Sequence, residues 1–155
     1  MHITRTELRI FCSNVKSVLI YGSETWKEMK TTTSRLQTFL NRCLRRILNI
    51  HWPDVISNDE LWRRTEEIEM PMHIKRRKWK WIGHTLKKGN EITDRETLDW
   101  NPQGKRRRRR PTHTWGRTVH NEALQKGKSW NEIKRMAGNR TGWRYFVDNL
   151  SPPKE

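Results

Sequence analysis

The chain has 155 residues, with 33 Lys and Arg against 17 Asp and Glu, a formal net charge of +16. Leu, Ile, Val and Phe make up only roughly a fifth of it, which at this charge leans towards disorder, while nine Trp, each able to bury ~150–250 Å², allow a modest core. There is no run of 18 apolar residues, no apolar stretch near the start that reads as a signal peptide, and no disulfide framework in Cys12 and Cys43. Membrane spans and disulfide scaffolds therefore drop out, and an intracellular polyanion binder remains.

The first predicted helix covers Thr6 to Ile20, with Leu8, Phe11, Cys12, Val15, Val18 and Leu19 inward and Gly22 as its stop. The second covers residues 34–50. Leu36, Phe39, Leu40, Cys43, Leu44, Ile47 and Leu48 fall on one stripe, with Arg35, Arg42, Arg45 and Arg46 mostly off it. Pro53 closes that segment. Ser57-Asn58-Asp59-Glu60 reads as a capping box that opens a short helix to about Glu67. Pro71 suits the first turn of the next helix, through Ile74 to Ile82, and Gly89-Asn90 breaks the chain again.

Residues 91–113 differ in kind. They carry Pro102, Gly104 and the run Lys105, Arg106, Arg107, Arg108, Arg109 and Arg110, a density of like charge that opposes compaction and reads as an exposed arm. One short strand pair is placed around Thr97–Trp100. Order returns at Thr114, with Trp115, Val119 and Ala123 at helical spacing. Ser129-Trp130-Asn131-Glu132 is a second capping box, for a helix to about Ala137. Asn139 caps a last helix that places Trp143, Phe146, Val147 and Leu150 on one face. The expected fold is mainly α: small helical bundles joined by a basic, partly disordered arm. The divisions fall at 1–52, 53–90, 91–113, 114–150 and a tail at 151–155.

Most catalytic chemistry lacks its residues. Asp54, Asp59, Asp94, Asp99 and Asp148 are scattered, with no Asp-Asp pair to hold two metal ions. No Cys-x-x-Cys, His-x-x-x-His or His-Glu-x-x-His occurs, and Gly22-Ser23 lacks the nucleophile-elbow frame. His84 reads as a helix-end residue and Cys43 as a buried thiol. No catalytic residue, metal or cofactor is expected.

The positive signal is cationic. Pro71 to Arg117 carries a net +11 of the +16. Lys75, Arg76, Arg77 and Lys78 lead into Trp79 and Trp81. Trp81 shares a face with Ile74 and is expected in the core. Trp79 has two readings: packing on a second element, which its size favours, or stacking on a base while its neighbours hold phosphates. Lys105 to Arg110 also has two: a phosphate-binding arm, or a solvated linker and nuclear-import signal.

Several segments carry a resemblance. Val18-Leu19-Ile20-Tyr21-Gly22-Ser23-Glu24-Thr25-Trp26, Arg42-Cys43-Leu44-Arg45-Arg46-Ile47-Leu48, Trp52-Pro53-Asp54, Arg77 to Leu86, Trp100 to Arg106, and Trp115 through Arg140-Thr141-Gly142-Trp143 resemble the C-terminal part of non-LTR (LINE-type, RTE-like) retrotransposon endonuclease–reverse transcriptases. The resemblance implies the thumb and post-thumb region, with the RNA-directed DNA polymerase and endonuclease active sites lying elsewhere. Arg109 stands where that family often has the glycine of an AT-hook-like motif, and Asn139 where it often has Asp. The resemblance further implies a nuclear protein that binds RNA or DNA and not membrane. Leu36, Phe39 and Leu40 would meet either the polymerase palm or a second copy. The alternative is a host-recruited basic interaction module unrelated to polymerisation.

Overall fold

A computed structural model of the chain describes residues 2–27, 29–88, 96, 98–99 and 114–150. The described residues are mainly helical, with no strand among them. The chain divides into two compact units: Met1–Ser23 with Glu28–Ile74, and Glu24–Lys27 with Lys75–Glu155. The sequence-based divisions at 52 and 90 do not coincide with these units, because residues 53–74 belong with the N-terminal helices.

In the first unit, α1 (His2–Ile10) runs into a π-helical segment, Phe11–Lys16, and then α2 (Ser17–Leu19). A π turn takes more residues than an α turn, so the inward phase slips along this rod. Phe11 is buried as expected, whereas Val15 and Val18 face solvent. Gly22 has φ 70°, a left-handed conformation that glycine adopts without strain. α3 (Lys30–Ile47) packs on α1 and on α4 (Asn58–Thr65).

The buried face of α3 holds Leu40 and Leu44 but is rotated from the apolar stripe by about one position. Asn41 is buried and Phe39 is exposed. Asn41 earns its place by hydrogen bonding: its Oδ1 accepts from Trp62 Nε1 at 2.8 Å and from Gln37 Nε2 at 2.9 Å. The Gln37 carbonyl oxygen accepts in turn from the Met70 backbone N–H. One polar thread thus ties α3 to α4 and to the start of α5 (Met70–Lys87). Ser57 caps α4 by accepting from Glu60 N–H at 3.2 Å, but the box is only half closed, since the Glu60 carboxylate pairs with Arg63 and Arg64 instead.

The second unit packs α5 from Lys75 onwards with α6 (Trp115–Gln125), α7 (Trp130–Ala137) and α8 (Arg140–Asp148). Its core is Trp79, Ile82 and Leu86 of α5, Val119 and Ala123 of α6, Ile133 and Ala137 of α7, and Trp143, Phe146, Val147 and Leu150. Thr114, Ser129 and Asn139 cap α6, α7 and α8, and Ser129 with Glu132 forms the full reciprocal box. Gly83 is required by close approach, because a Cβ there would run into the Trp143 indole. Leu98 and Asp99 are helical, not the strand expected there, and Thr97 and Trp100 lie outside the described residues. The Asp99 carboxylate accepts from Trp130 Nε1 at 2.9 Å and from Lys134 at 2.6 Å, so a helical Asp99 is fastened to α7.

Candidate nucleic-acid interface

The α5 cluster does not form an open cationic surface. Lys78 is 1% exposed and its Nζ lies 2.8 Å from Glu122 Oε1. Trp79 is 0% exposed, and its Nε1 donates to Glu122 Oε2 at 2.6 Å. Of the two readings of Trp79, packing on a second element holds, while base stacking by Trp79 and phosphate contact by Lys78 are corrected. Both side chains turn inwards because Glu122 of α6 supplies a carboxylate for each, and a buried ammonium without such a partner is costly. Arg77 pairs with Glu24 at 2.9 Å, Arg76 donates to the Asp148 carbonyl at 3.3 Å, and Lys75 is half-buried. Trp81 is only partly buried, edge-on to Trp115 with ring centroids 6.0 Å apart, and not in the deep core. His84 is exposed in the last turn of α5, the helix-end position expected of it. Lys105, Arg106, Arg107, Arg108, Arg109 and Arg110 lie outside the described residues.

The open cationic surface of the first unit is on α3. That helix contains Lys30, Arg35, Arg42, Arg45 and Arg46 and no acidic residue. Arg35, Arg42 and Arg46 are exposed and, at 100° per residue, fall within about 40° of one another over about 16 Å of helix. Arg45 is used differently. Its Nη2 donates to Asn58 Oδ1 at 2.7 Å and to the Ile56 carbonyl at 3.4 Å, anchoring the loop before α4. An open groove at the C-terminal end of α3 is lined by Glu7, Arg46, Ile47 and Asn49, so Glu7 is the acid that tempers this end of the face. The sequence signal for this face is the set of arginines lying off an apolar stripe, and it is smaller than the charge of residues 71–117.

The densest group of titratable side chains is also in the first unit. Glu67 accepts from Lys16 Nζ at 2.8 and 2.6 Å, from the Cys12 thiol at 3.2 Å, and bonds His73 Nε2 at 2.8 Å. Burial pushes the Glu67 carboxyl up, but the hydrogen bonds from His73, Lys16 and Cys12 outweigh it and hold the carboxyl at about 2. Burial, then the Glu67 carboxylate, push the Cys12 thiol up, which keeps it protonated and a poor nucleophile. Among the described residues no set of His, Cys, Asp and Glu is arranged to hold a metal ion. The cluster therefore acts as a polar clasp between the π-helical segment and the start of α5.

The clasp has a pH signature. A carboxyl depressed from 4.5 to about 2 stabilises the fold above pH 4.5, and that stabilisation is lost as pH falls towards 2. At ~1.4 kcal/mol per unit it amounts to at most about 3 kcal/mol, and to less where solvent screens the pairs. Glu67→Gln is expected to be less stable at pH 7 and to lose this acid limb, as read from urea midpoints between pH 2 and 7. An acid limb of full size in the variant would assign it to other carboxylates.

The loop between α3 and α4 presents a second exposed feature. Trp52 is 89% exposed, and Val55 stands almost as far out. Comparison of the chain with protein-family models, with curated proteins and with solved structures gives no match.

Proposed function

We propose that the chain is the thumb and post-thumb portion of a non-LTR (LINE-type, RTE-like) retrotransposon reverse transcriptase, without a polymerase or endonuclease site of its own, and that it binds RNA or DNA in the nucleus without reading sequence. The observation that carries the binding half of this reading is the exposed Arg35, Arg42 and Arg46 face of a helix with no acidic residue. The family half is supported by the segments that resemble those enzymes, from Val18–Trp26 to Arg140–Trp143.

The chemistry is counterion release. Each guanidinium that meets a phosphate frees a condensed cation, so affinity falls with salt in proportion to the contacts made. Arginine suits the task because its planar fork can donate two parallel hydrogen bonds to phosphate oxygens. Phosphates carry no base identity, so the binding is indifferent to sequence.

The test is a salt series by fluorescence anisotropy on unrelated duplexes. The Arg35→Ala, Arg42→Ala, Arg46→Ala triple variant is expected to flatten the slope of log K against log salt by about three units, at ~0.9 per phosphate contact. The three side chains are exposed, so the fold should be kept. A variant with the wild-type slope would remove α3 from the interface. Absence of any salt-dependent binding by the wild-type chain would overturn the nucleic-acid reading itself.

A further inference from the structure

An indole left in water is unusual, because tryptophan is the side chain with the most surface to gain from burial. Trp52 is nonetheless 89% exposed, in a loop whose backbone is tied down on both sides. Before it, Asn49 N–H donates to the Arg46 carbonyl at 3.1 Å and Ile50 N–H to the Arg45 carbonyl at 2.9 Å. After it, Asp54 N–H donates to the His51 carbonyl at 2.8 Å, closing a tight turn with Trp52 and Pro53 at its centre. Further on, Ile56 and Asn58 are held by Arg45. The turn therefore holds the backbone that carries the indole.

Its surroundings point to one class of partner. Arg46 lies six residues before Trp52, within about 21 Å of chain even if fully extended, and the 3.1 and 2.9 Å turn bonds fold that stretch back on the helix end. Arg42 is one turn further back on the same face. His51, the residue before Trp52, is exposed and bonds Asn49 Oδ1 at 3.1 Å. Asp54 is the one acid of the loop. An exposed ring at the end of a line of unpaired cations is the arrangement by which proteins take single strands: phosphates on the cations, a base on the ring. Bases in a duplex are already stacked on one another and offer no free face.

We propose that Trp52 is a stacking platform for an unpaired base of a DNA or RNA strand whose phosphates lie along Arg42 and Arg46. The proposal rests on the nucleic-acid reading above and adds a strand preference to it. It also moves the stacking role from Trp79, which is sealed in a core, to a tryptophan with a free face.

The experiment compares the full chain with Trp52→Ala, Trp52→Phe and the Arg42→Ala, Arg46→Ala pair. The probes are a labelled 12-nucleotide oligothymidylate and a labelled duplex of the same length, each over a salt series. Trp52→Ala should weaken binding of the single strand by about five- to 150-fold, with the salt slope unchanged, because an indole carries no charge. Trp52→Phe should recover most of that loss. Duplex binding should change less than about twofold in both Trp52 variants. The arginine pair should flatten the single-strand slope by about 1.4 units, at ~0.7 per contact.

Wild-type affinity of Trp52→Ala for oligothymidylate would overturn the proposal and leave salt-dependent binding standing. An equal loss on single strand and duplex would overturn it too, as would an unchanged slope in the arginine pair. A change of oligomeric state in Trp52→Ala would make the loop a protein interface. Trp52-dependent sedimentation with phosphatidylserine vesicles would make it a membrane contact. Either result overturns the proposal. Absence of salt-dependent binding by the wild-type chain is the separate failure of the reading beneath it.

Discussion

Trp79→Ala is expected to destabilise the second unit by about 3–5 kcal/mol, a large share of the ~5–15 kcal/mol that holds a domain folded. The indole is fully buried, with its ring edge-on to Phe146 at 5.2 Å and tilted against Trp143 at 6.1 Å. Such aromatic pairs add ~0.5–1.5 kcal/mol beyond the area they bury. The substitution also removes the 2.6 Å hydrogen bond to Glu122 Oε2 and leaves that oxygen short of a partner beside a buried Lys78. Two losses therefore act together, a cavity and an under-satisfied carboxylate. Trp79→Phe should cost less, since it keeps most of the volume and loses chiefly the hydrogen bond. Urea midpoints give the comparison, with Trp52→Ala as the exposed control at near-wild-type stability. An unchanged midpoint in Trp79→Ala would contradict the packing described. Any loss of nucleic-acid affinity in this variant should follow the fraction unfolded, which separates it from Trp52→Ala.

The inward face of α5 shows where the sequence misleads: the burial that the size of Trp79 favours is found, but Trp81 is not in the deep core. Trp79, Ile82 and Leu86 have the i, i+3, i+7 spacing of a core stripe, but Ile74 as the reference for the inward face selects Trp81. α5 contributes Met70 and Ile74 to the burial of the first unit and Trp79, Ile82 and Leu86 to the core of the second. By wheel position Ile74 and Trp81 are about 20° apart, whereas Trp79, Ile82 and Leu86 fall within about 60° of one another. A helical wheel assumes one core per helix, and here there are two. The burial of Lys78 is hidden from the sequence for a related reason. Its partner Glu122 is 44 positions away, and no local pattern reveals a carboxylate brought in by another helix.

Features set by neighbouring residues were legible. Ser57, Ser129 and Asn139 each cap the helix expected of them, because a cap is a bond between a side chain and a backbone two or three residues on. The face of α8 was legible for the same reason: four apolar residues at helical spacing had only one way to point. The π-helical Phe11–Lys16 was not legible, since its composition is that of an α-helix and the slip in phase shows only in the exposure of Val15 and Val18. The α3 face was half legible. The off-stripe arginines were visible, but that Arg45 is consumed in holding Ile56 and Asn58 while Arg35, Arg42 and Arg46 stay open depends on where the next loop runs.

Replacing Arg106–Arg110 with alanine is expected to flatten the salt slope on duplex DNA by about four units, more than the α3 triple variant. The argument needs only charge and counting. Lys105 to Arg110 are six adjacent cations, and the substitution leaves one. At a difference of four units, fourfold more salt, from 50 to 200 mM, should cost the wild-type chain on the order of 250-fold more affinity than the variant. Counterion release counts phosphates, so the arm and α3 should contribute additively if they meet different ones. The combined variant should then lose about seven units, and a smaller combined loss would mean that the two sets compete for the same phosphates. The affinity lost should be similar on unrelated duplexes, because phosphate contacts carry no base information. An arm variant with the wild-type slope would confine binding to the helices. A loss limited to A·T-rich duplex would mean that the arm reads a narrow minor groove, with Arg109 accommodated where a glycine would lie flatter.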